Sequence, residues 1–341
     1  MTDLRKLPKV EHHRHLDGSL RVSTIAELAR KNNIDLGVSS QAELQQKVVL
    51  NKPFKTLQAV LDSFWTAQKV MVNYESIKRI AYENVEDCYQ DGVVLAELRF
   101  APVFIMKDKV NLKFDEVFEG IIDGVHEAMK DFPIQVGLIH ILPRGLDHEQ
   151  SKLSTKECLR YAHAQHPGAD RIVGFDLADP ESDDSFDKYG PLVEQARKSG
   201  LHITIHSGED TSPAHMWRTL DVYKPERIGH GIQAIHDEKL MEALKERNIM
   251  LEVCPTSNWL TGQVPTTAAH PFPKLWKKGV KLSLNSDDPH VMGINLVREY
   301  IIATDEWMMS PGDLLGINRD ACRASFLPEE LRRYVMKKHL H

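Results

Sequence analysis

Val10–Ser19 reads VEHHRHLDGS, gathering His12, His13, His15 and Asp17 at the end of a short strand-like run. If residues 9–15 (KVEHHRH) form a strand, successive side chains alternate sides. His13 and His15 then share one face and can act on one ligand. His12 and Arg14 take the other face, which places His12 in a helical layer as a buried, neutral, hydrogen-bonded residue. An H-x-H pair alone is weak evidence, so its weight depends on what the rest of the chain brings to it.

Working outward, further short apolar runs read as strands at 93–100 (VVLAELRF), 134–142 (IQVGLIHIL), 171–177 (RIVGFDL), 201–206 (LHITIH), 227–230 (RIGH), 249–253 (IMLEV) and 280–285 (VKLSLN). Helical periodicity separates them. In 114–132, Phe114, Val117, Phe118, Ile121, Ile122 and Val125 recur at the spacing of one buried face, and 76–92 repeats the pattern with Ile77, Ile80, Ala81, Val85 and Cys88. Eight strands alternating with helices predict an α/β fold, a (β/α)8 TIM barrel. No strand runs into a glycine-rich phosphate loop, which argues against a doubly wound sheet. Residues 18–92 exceed one β/α connection and read as added helices over the barrel mouth, with further helices at the C-terminus. No linker or repeat interrupts 1–341, so the expectation is a single domain.

Bulk properties narrow the function classes. The 341 residues are 42% hydrophobic and 27% charged with net charge -6, a balance that disfavours nucleic acid as partner. The opening MTDLRKLPKVEHHRH lacks the apolar run of a signal peptide, and no stretch reads as a membrane span. Cys88, Cys158, Cys254 and Cys322 stand far apart, as expected of reduced structural thiols in a cytoplasmic protein. Nothing in the sequence bears on oligomeric state.

Three more strands end in polar residues: HSGED (206–210), GHG around His230, and SLNSDDP with Asp287 and Asp288. Taken singly, His206 and His230 are compatible with buried core histidines, and the acidic pairs with helix caps. Jointly they fall where barrel enzymes carry their chemistry, at strand C-terminal ends. Three imidazoles and a carboxylate suit zinc with one position left for water.

The blocks KVEHHRHLDGS, HSGED, IGHG, EVCPTSNWLTG, SLNSDDP and INRDACRASFLPEE resemble, in order and over nearly the whole chain, those of the adenosine deaminase family within the amidohydrolase superfamily. The resemblance implies one zinc ion per chain and hydrolytic removal of the purine 6-amino group from a small-molecule nucleoside. It makes His13, His15, His206 and Asp287 the metal ligands and His230 a base and electrostatic orienter. Glu209 would protonate purine N1, Asp288 would contact N7 and the attacking hydroxide, and Asp17 would reach the ribose 5′-hydroxyl. Leu57, Leu61 and Phe64, on one face of FKTLQAVLDSFWTAQ (54–68), would line a gate over the substrate.

One position departs from the family pattern. Where a glycine N–H normally addresses purine N3, this chain has Asp179 in FDLADPES. The backbone donor survives, but bulk and negative charge are added beside the substrate. Asp17 and Asp179 would together repel a 5′-phosphate. Adenosine and 2′-deoxyadenosine are the expected substrates. The alternatives are adenine, a modified nucleoside such as aminodeoxyfutalosine, or a non-catalytic nucleoside-binding relative. A two-metal hydrolase is disfavoured because GFDLADP offers no bridging lysine, and the H-x-E with P-C-x-x-C signature of cytidine-type deaminases is absent.

Overall fold

A computed structural model describes residues 3–50, 52–53 and 57–341, with the backbone alone for residues 57–62 and 183. Its strands are β1 (Lys9–His15), β2 (Val93–Phe100), β3 (Gln135–Pro143), β4 (Ile172–Ala178), β5 (His202–Ser207), β6 (Arg227–His230), β7 (Met250–Val253) and β8 (Leu282–Leu284). All pair in parallel in chain order. The ring is closed beyond the end of β8, where His15 N donates to Asp287 O and Asp287 N to His13 O, both at 2.9 Å. This is the expected (β/α)8 barrel, with every strand within two residues of its predicted bounds.

The helices Tyr74–Gln90 and Phe114–Asp131 bury the faces their apolar periodicity marks out. Within residues 18–92, the additional helices are Val22–Lys31, Gln41–Val48 and Leu57–Gln68, and the last packs on Leu16–Gly18 at the end of β1. At the opposite end of the barrel, Pro311–Ala324 and Glu329–His339 close the base, and the turn between them inserts Phe326 and Leu327. Among the described residues no helix is long and apolar enough to cross a membrane.

The barrel interior changes chemistry along its axis. The base is apolar, with Val10, Leu95, Ile139 and Met250 packed against Phe326 and Leu327. Above it lies a charged layer that bonds across the barrel. Arg227 pairs with Glu97 and Glu252, and Arg99 pairs with Asp176 and Glu252. Such a layer survives burial because each charge is paired and hydrogen-bonded.

Strand β1 corrects the strict alternation expected of it. Its register against β2 slips between Glu11 and Arg14, which face Ala96 and Leu98, three steps against two. Such a bulge breaks the two-residue period. Arg14 does turn outward, to Asn84 and Asp87 on the helix Tyr74–Gln90. His12, however, joins the barrel interior, where its charged neighbours are Arg227, Glu97, Glu252 and Arg99. Burial lowers its pKa to about 4, so it is neutral as expected. Contrary to expectation, neither ring nitrogen has a hydrogen-bond partner among the described residues.

Candidate active site

The strand ends converge on one cluster at the C-terminal mouth. Ring centroids lie 5.4 Å apart for His13 and His15, 4.5 Å for His13 and His206, and 5.5 Å for His15 and His206. Asp287 Oδ1 stands 3.3 Å from His15 Nε2 and 3.6 Å from His13 Nε2. Ligand-type atoms of His13, His15 and Asp287 thus fall within 4.8 Å of one another, as do those of His13, His206 and His230. Burial drives the pKa values of His13 and His15 well below the usual histidine value, leaving neutral imidazoles with lone pairs to offer. Nε2 of His13 is buried and has no hydrogen-bond partner among the described residues. Neither acidic pair caps a helix: the next helices start at Pro213 and Leu296.

Carboxylates orient two of these rings. Glu252 Oε2 accepts from His13 Nδ1 at 2.9 Å, and Asp176 Oδ2 lies 2.9 Å from His206 Nδ1. Each ring is thereby turned so that Nε2 faces the cluster. Arg99 joins the two carboxylates, with Nη1 on Asp176 at 2.7 Å and Nη2 on Glu252 at 2.6 Å. Burial opposes ionisation of Glu252, but Arg99 and Arg227 outweigh it and bring the pKa to about 2. For His206, burial disfavours the charged form and Asp176 outweighs it, so the pKa rises.

Acids of the opposite tendency line the remaining wall. Glu209 is pushed upward, first by burial and then by Glu181. Glu181 also anchors the loop that carries Glu209, accepting from Gly208 N and Glu209 N at 2.7 Å each and from Thr211 Oγ1. Asp288 is raised well above the ordinary carboxylate value, by burial and then by Asp287, Asp17, Glu209 and Asp179. His230 Nε2 lies 3.5 Å from Glu209 Oε2 and 3.7 Å from Asp287 Oδ2. Asn258 Nδ2 donates to His230 Nδ1 at 3.1 Å and to Glu209 Oε1 at 3.2 Å. A neutral His230 accepting at Nδ1 carries its proton on Nε2, towards the acids. Its pKa, lowered by burial to about 4, keeps it neutral.

Three non-glycine residues here adopt left-handed backbone: Asp179 (φ 71°), His230 (φ 58°) and Asp287 (φ 62°), at the ends of β4, β6 and β8. Strain of about 1–3 kcal/mol per residue is held where side chains must be aimed. Arg144 supports this rim from below, donating to Asp179 O at 3.0 Å and His206 O at 2.7 Å.

Beside the acids, Asp17 Oδ2 accepts from Ala101 N at 3.2 Å and Gln68 Nε2 at 3.3 Å. Burial raises the Asp17 pKa to about 7. Any side chain at Gly18 would overlap the Asp288 carboxyl and the Phe64 ring, which places Phe64 against the site. The side chains of Leu57 and Leu61 lie outside the described residues.

The sequence reading missed Asp176, Glu252, Arg99, Glu181, Asn258 and Gln68. For the first three a signal was present: isolated charges inside otherwise apolar strands, at positions that alternate towards the barrel axis. Of the other three, Glu181 opens a short turn after β4, Asn258 lies in the six-residue helix Pro255–Leu260 and Gln68 ends Leu57–Gln68, places where no periodicity marks them.

A parallel barrel whose strand ends gather imidazoles and carboxyls in this way has the architecture of the amidohydrolase enzymes. A sequence model of the adenosine deaminase family matches residues 8–339, and the chain belongs to that family. The adenosine deaminase of Shewanella denitrificans is 36% identical over 329 residues, covering 96% of this chain and 97% of that one. Among solved structures, the adenine deaminase of Arthrobacter aurescens superposes with TM-score 0.85 at 26% identity, covering 97% of each chain. The N6-mAMP deaminase of Arabidopsis gives TM-score 0.85 at 28% identity, covering 99% and 98%. The protein is therefore an aminohydrolase, and its close relations span base, nucleoside and nucleotide substrates.

Proposed function

We propose that this chain, as one hydrolase domain spanning 1–341, deaminates adenosine and 2′-deoxyadenosine to inosine and 2′-deoxyinosine with release of ammonia. The reaction would use one zinc ion held by His13, His15, His206 and Asp287. The neutral imidazoles of His13 and His15, an unpartnered buried Nε2 on His13 and a facing carboxylate belong to a donor set of the kind zinc takes. Bound there, zinc would lower the pKa of water from about 15.7 to about 7 and so furnish a nucleophile at neutral pH.

The remaining steps fall to side chains. Attack at C6 moves an electron pair onto N1, so N1 needs a proton donor, and N7 is likewise an acceptor. Glu209, raised by burial and by Glu181, would serve N1, and Asp288, raised well above the ordinary carboxylate value, would serve N7; these two acids facing the His13–Asp287 cluster carry the reading. His230, with its proton on Nε2, orients the attacking oxygen. Of the water's two protons, one ends on N1 and the other leaves with the amine as ammonia.

Asp17 would meet the sugar, Asp179 would offer its backbone N–H near the base, and Leu57, Leu61 and Phe64 would close over both. Adenosine is favoured over a nucleotide because Asp17 and Asp179 would stand beside the sugar and disfavour a 5′-phosphate there. Adenine is the second reading, supported by the likeness to the Arthrobacter enzyme. Four buried free cysteines support a reducing compartment, the cytoplasm. An ammonia-release panel of adenosine, 2′-deoxyadenosine, adenine and AMP tests the proposal. Higher kcat/KM for both nucleosides than for adenine or AMP is expected, and preference for AMP or adenine would overturn it.

A further inference from the structure

Asp17 has two carboxyl oxygens in different circumstances. Oδ2 is held by two donors, the Ala101 N–H at 3.2 Å and the Gln68 amide at 3.3 Å. Oδ1 is buried and has no hydrogen-bond partner among the described residues. The Gln68 amide also reaches the Asp17 carbonyl at 3.3 Å, so it faces two acceptors. An amide so placed must present Nε2, which turns Oε1 the other way, buried and likewise unpartnered among the described residues. Buried acceptors left open in this way are satisfied by a ligand that donates, as a hydroxyl does.

Gln68 is the last residue of the helix Leu57–Gln68, and Phe64 of that helix lies against Gly18, next to Asp17. One contact therefore both seats this helix and fixes the Asp17 carboxyl.

We propose that Gln68 is a positioning residue for the sugar end of the substrate: with the Ala101 N–H it locks one Asp17 oxygen so that the other is aimed at the ribose 5′-hydroxyl. The inference rests on the nucleoside reading above and adds to it the residue that aims Asp17. Among the described residues the hydrogen bonds of Gln68 go to Asp17 and none to Glu209, His230 or Asp288, so its removal should act on the hydroxyl rather than on the deamination chemistry.

The test is a cycle of two enzymes against two substrates, wild type and Gln68→Met with adenosine and 5′-deoxyadenosine, read as kcat/KM. In the wild type, loss of the hydroxyl costs roughly 10- to 100-fold, the range of a hydrogen bond to a charged or strongly polar group. In Gln68→Met the same loss costs less than about threefold, because the penalty is carried by KM for adenosine while 5′-deoxyadenosine is nearly unaffected. An equal fall for both substrates, or no change for either, overturns the proposal and leaves Gln68 as a packing residue. Gln68→Asn, which keeps the amide one methylene short, carries the same cycle should the methionine variant be insoluble. A wild type that deaminates neither substrate overturns the nucleoside reading itself, an outcome distinct from an unchanged ratio.

Discussion

The two ends of the candidate site are built differently. At the metal end, every side chain projects from a strand end, and His13 and His206 each have a buried carboxylate behind them, with Arg99 bridging the two. At the sugar end, Asp17 follows β1 in a short turn, Asp179 follows β4, and Gln68 and Phe64 belong to a helix that packs across the mouth. Under the proposed function, the deamination chemistry would fall to the strand ends, and recognition of the sugar to the turn and helix that pack over the mouth. A barrel separates these roles naturally, because its strands fix positions while its loops set specificity.

Substitutions break the comparison in graded steps. Glu209→Gln keeps the shape of the metal end but removes the proton donor for N1. Turnover should fall by several orders of magnitude with metal content unchanged, and near-normal kcat would remove Glu209 from the mechanism. Glu252→Gln leaves all proposed ligands in place and unties His13. Metal affinity should drop roughly 10- to 100-fold in a competition titration with a chelator, the usual effect of losing such a partner. No loss would mean that the strand end alone aims the ring.

A pH experiment sharpens the link between the two acids on β4 and β5 loops. The proton donor must be protonated, so activity is lost as pH rises through the raised pKa of Glu209. Burial and the charge of Glu181 raise that pKa, in that order. Glu181→Gln removes the second cause, so the alkaline limb of the kcat profile should move to lower pH. A limb that stays in place would show that burial alone sets it. The smallest effect is expected for His12→Leu. Neither ring nitrogen is partnered among the described residues, so no hydrogen bond is lost. Activity should stay within about twofold and the melting temperature should hold or rise, since an unpartnered buried polar group is replaced by an apolar one. Loss of metal in this variant would make His12 part of the cluster.

The sequence made the metal end far more legible than its supports. Strand positions followed from apolar runs, and His13, His15, His206, His230 and Asp287 from their places at the ends of those runs. The bulge in β1 escaped because nothing in KVEHHRH marks where the two-residue period slips, and so His12 was assigned the wrong side. Asp176 and Glu252 were hidden in plain apolar strands, where a charge reads as noise until the barrel brings it beneath a histidine. Glu181 and Gln68 depend on contacts between segments 27 and 51 residues apart, which no local pattern encodes.

Elemental analysis of purified, catalytically active protein tests the central claim most directly. Close to one zinc per chain is expected, falling together with activity on chelation and returning with it when zinc is restored. Full activity in protein holding far less than one zinc per chain would contradict the account.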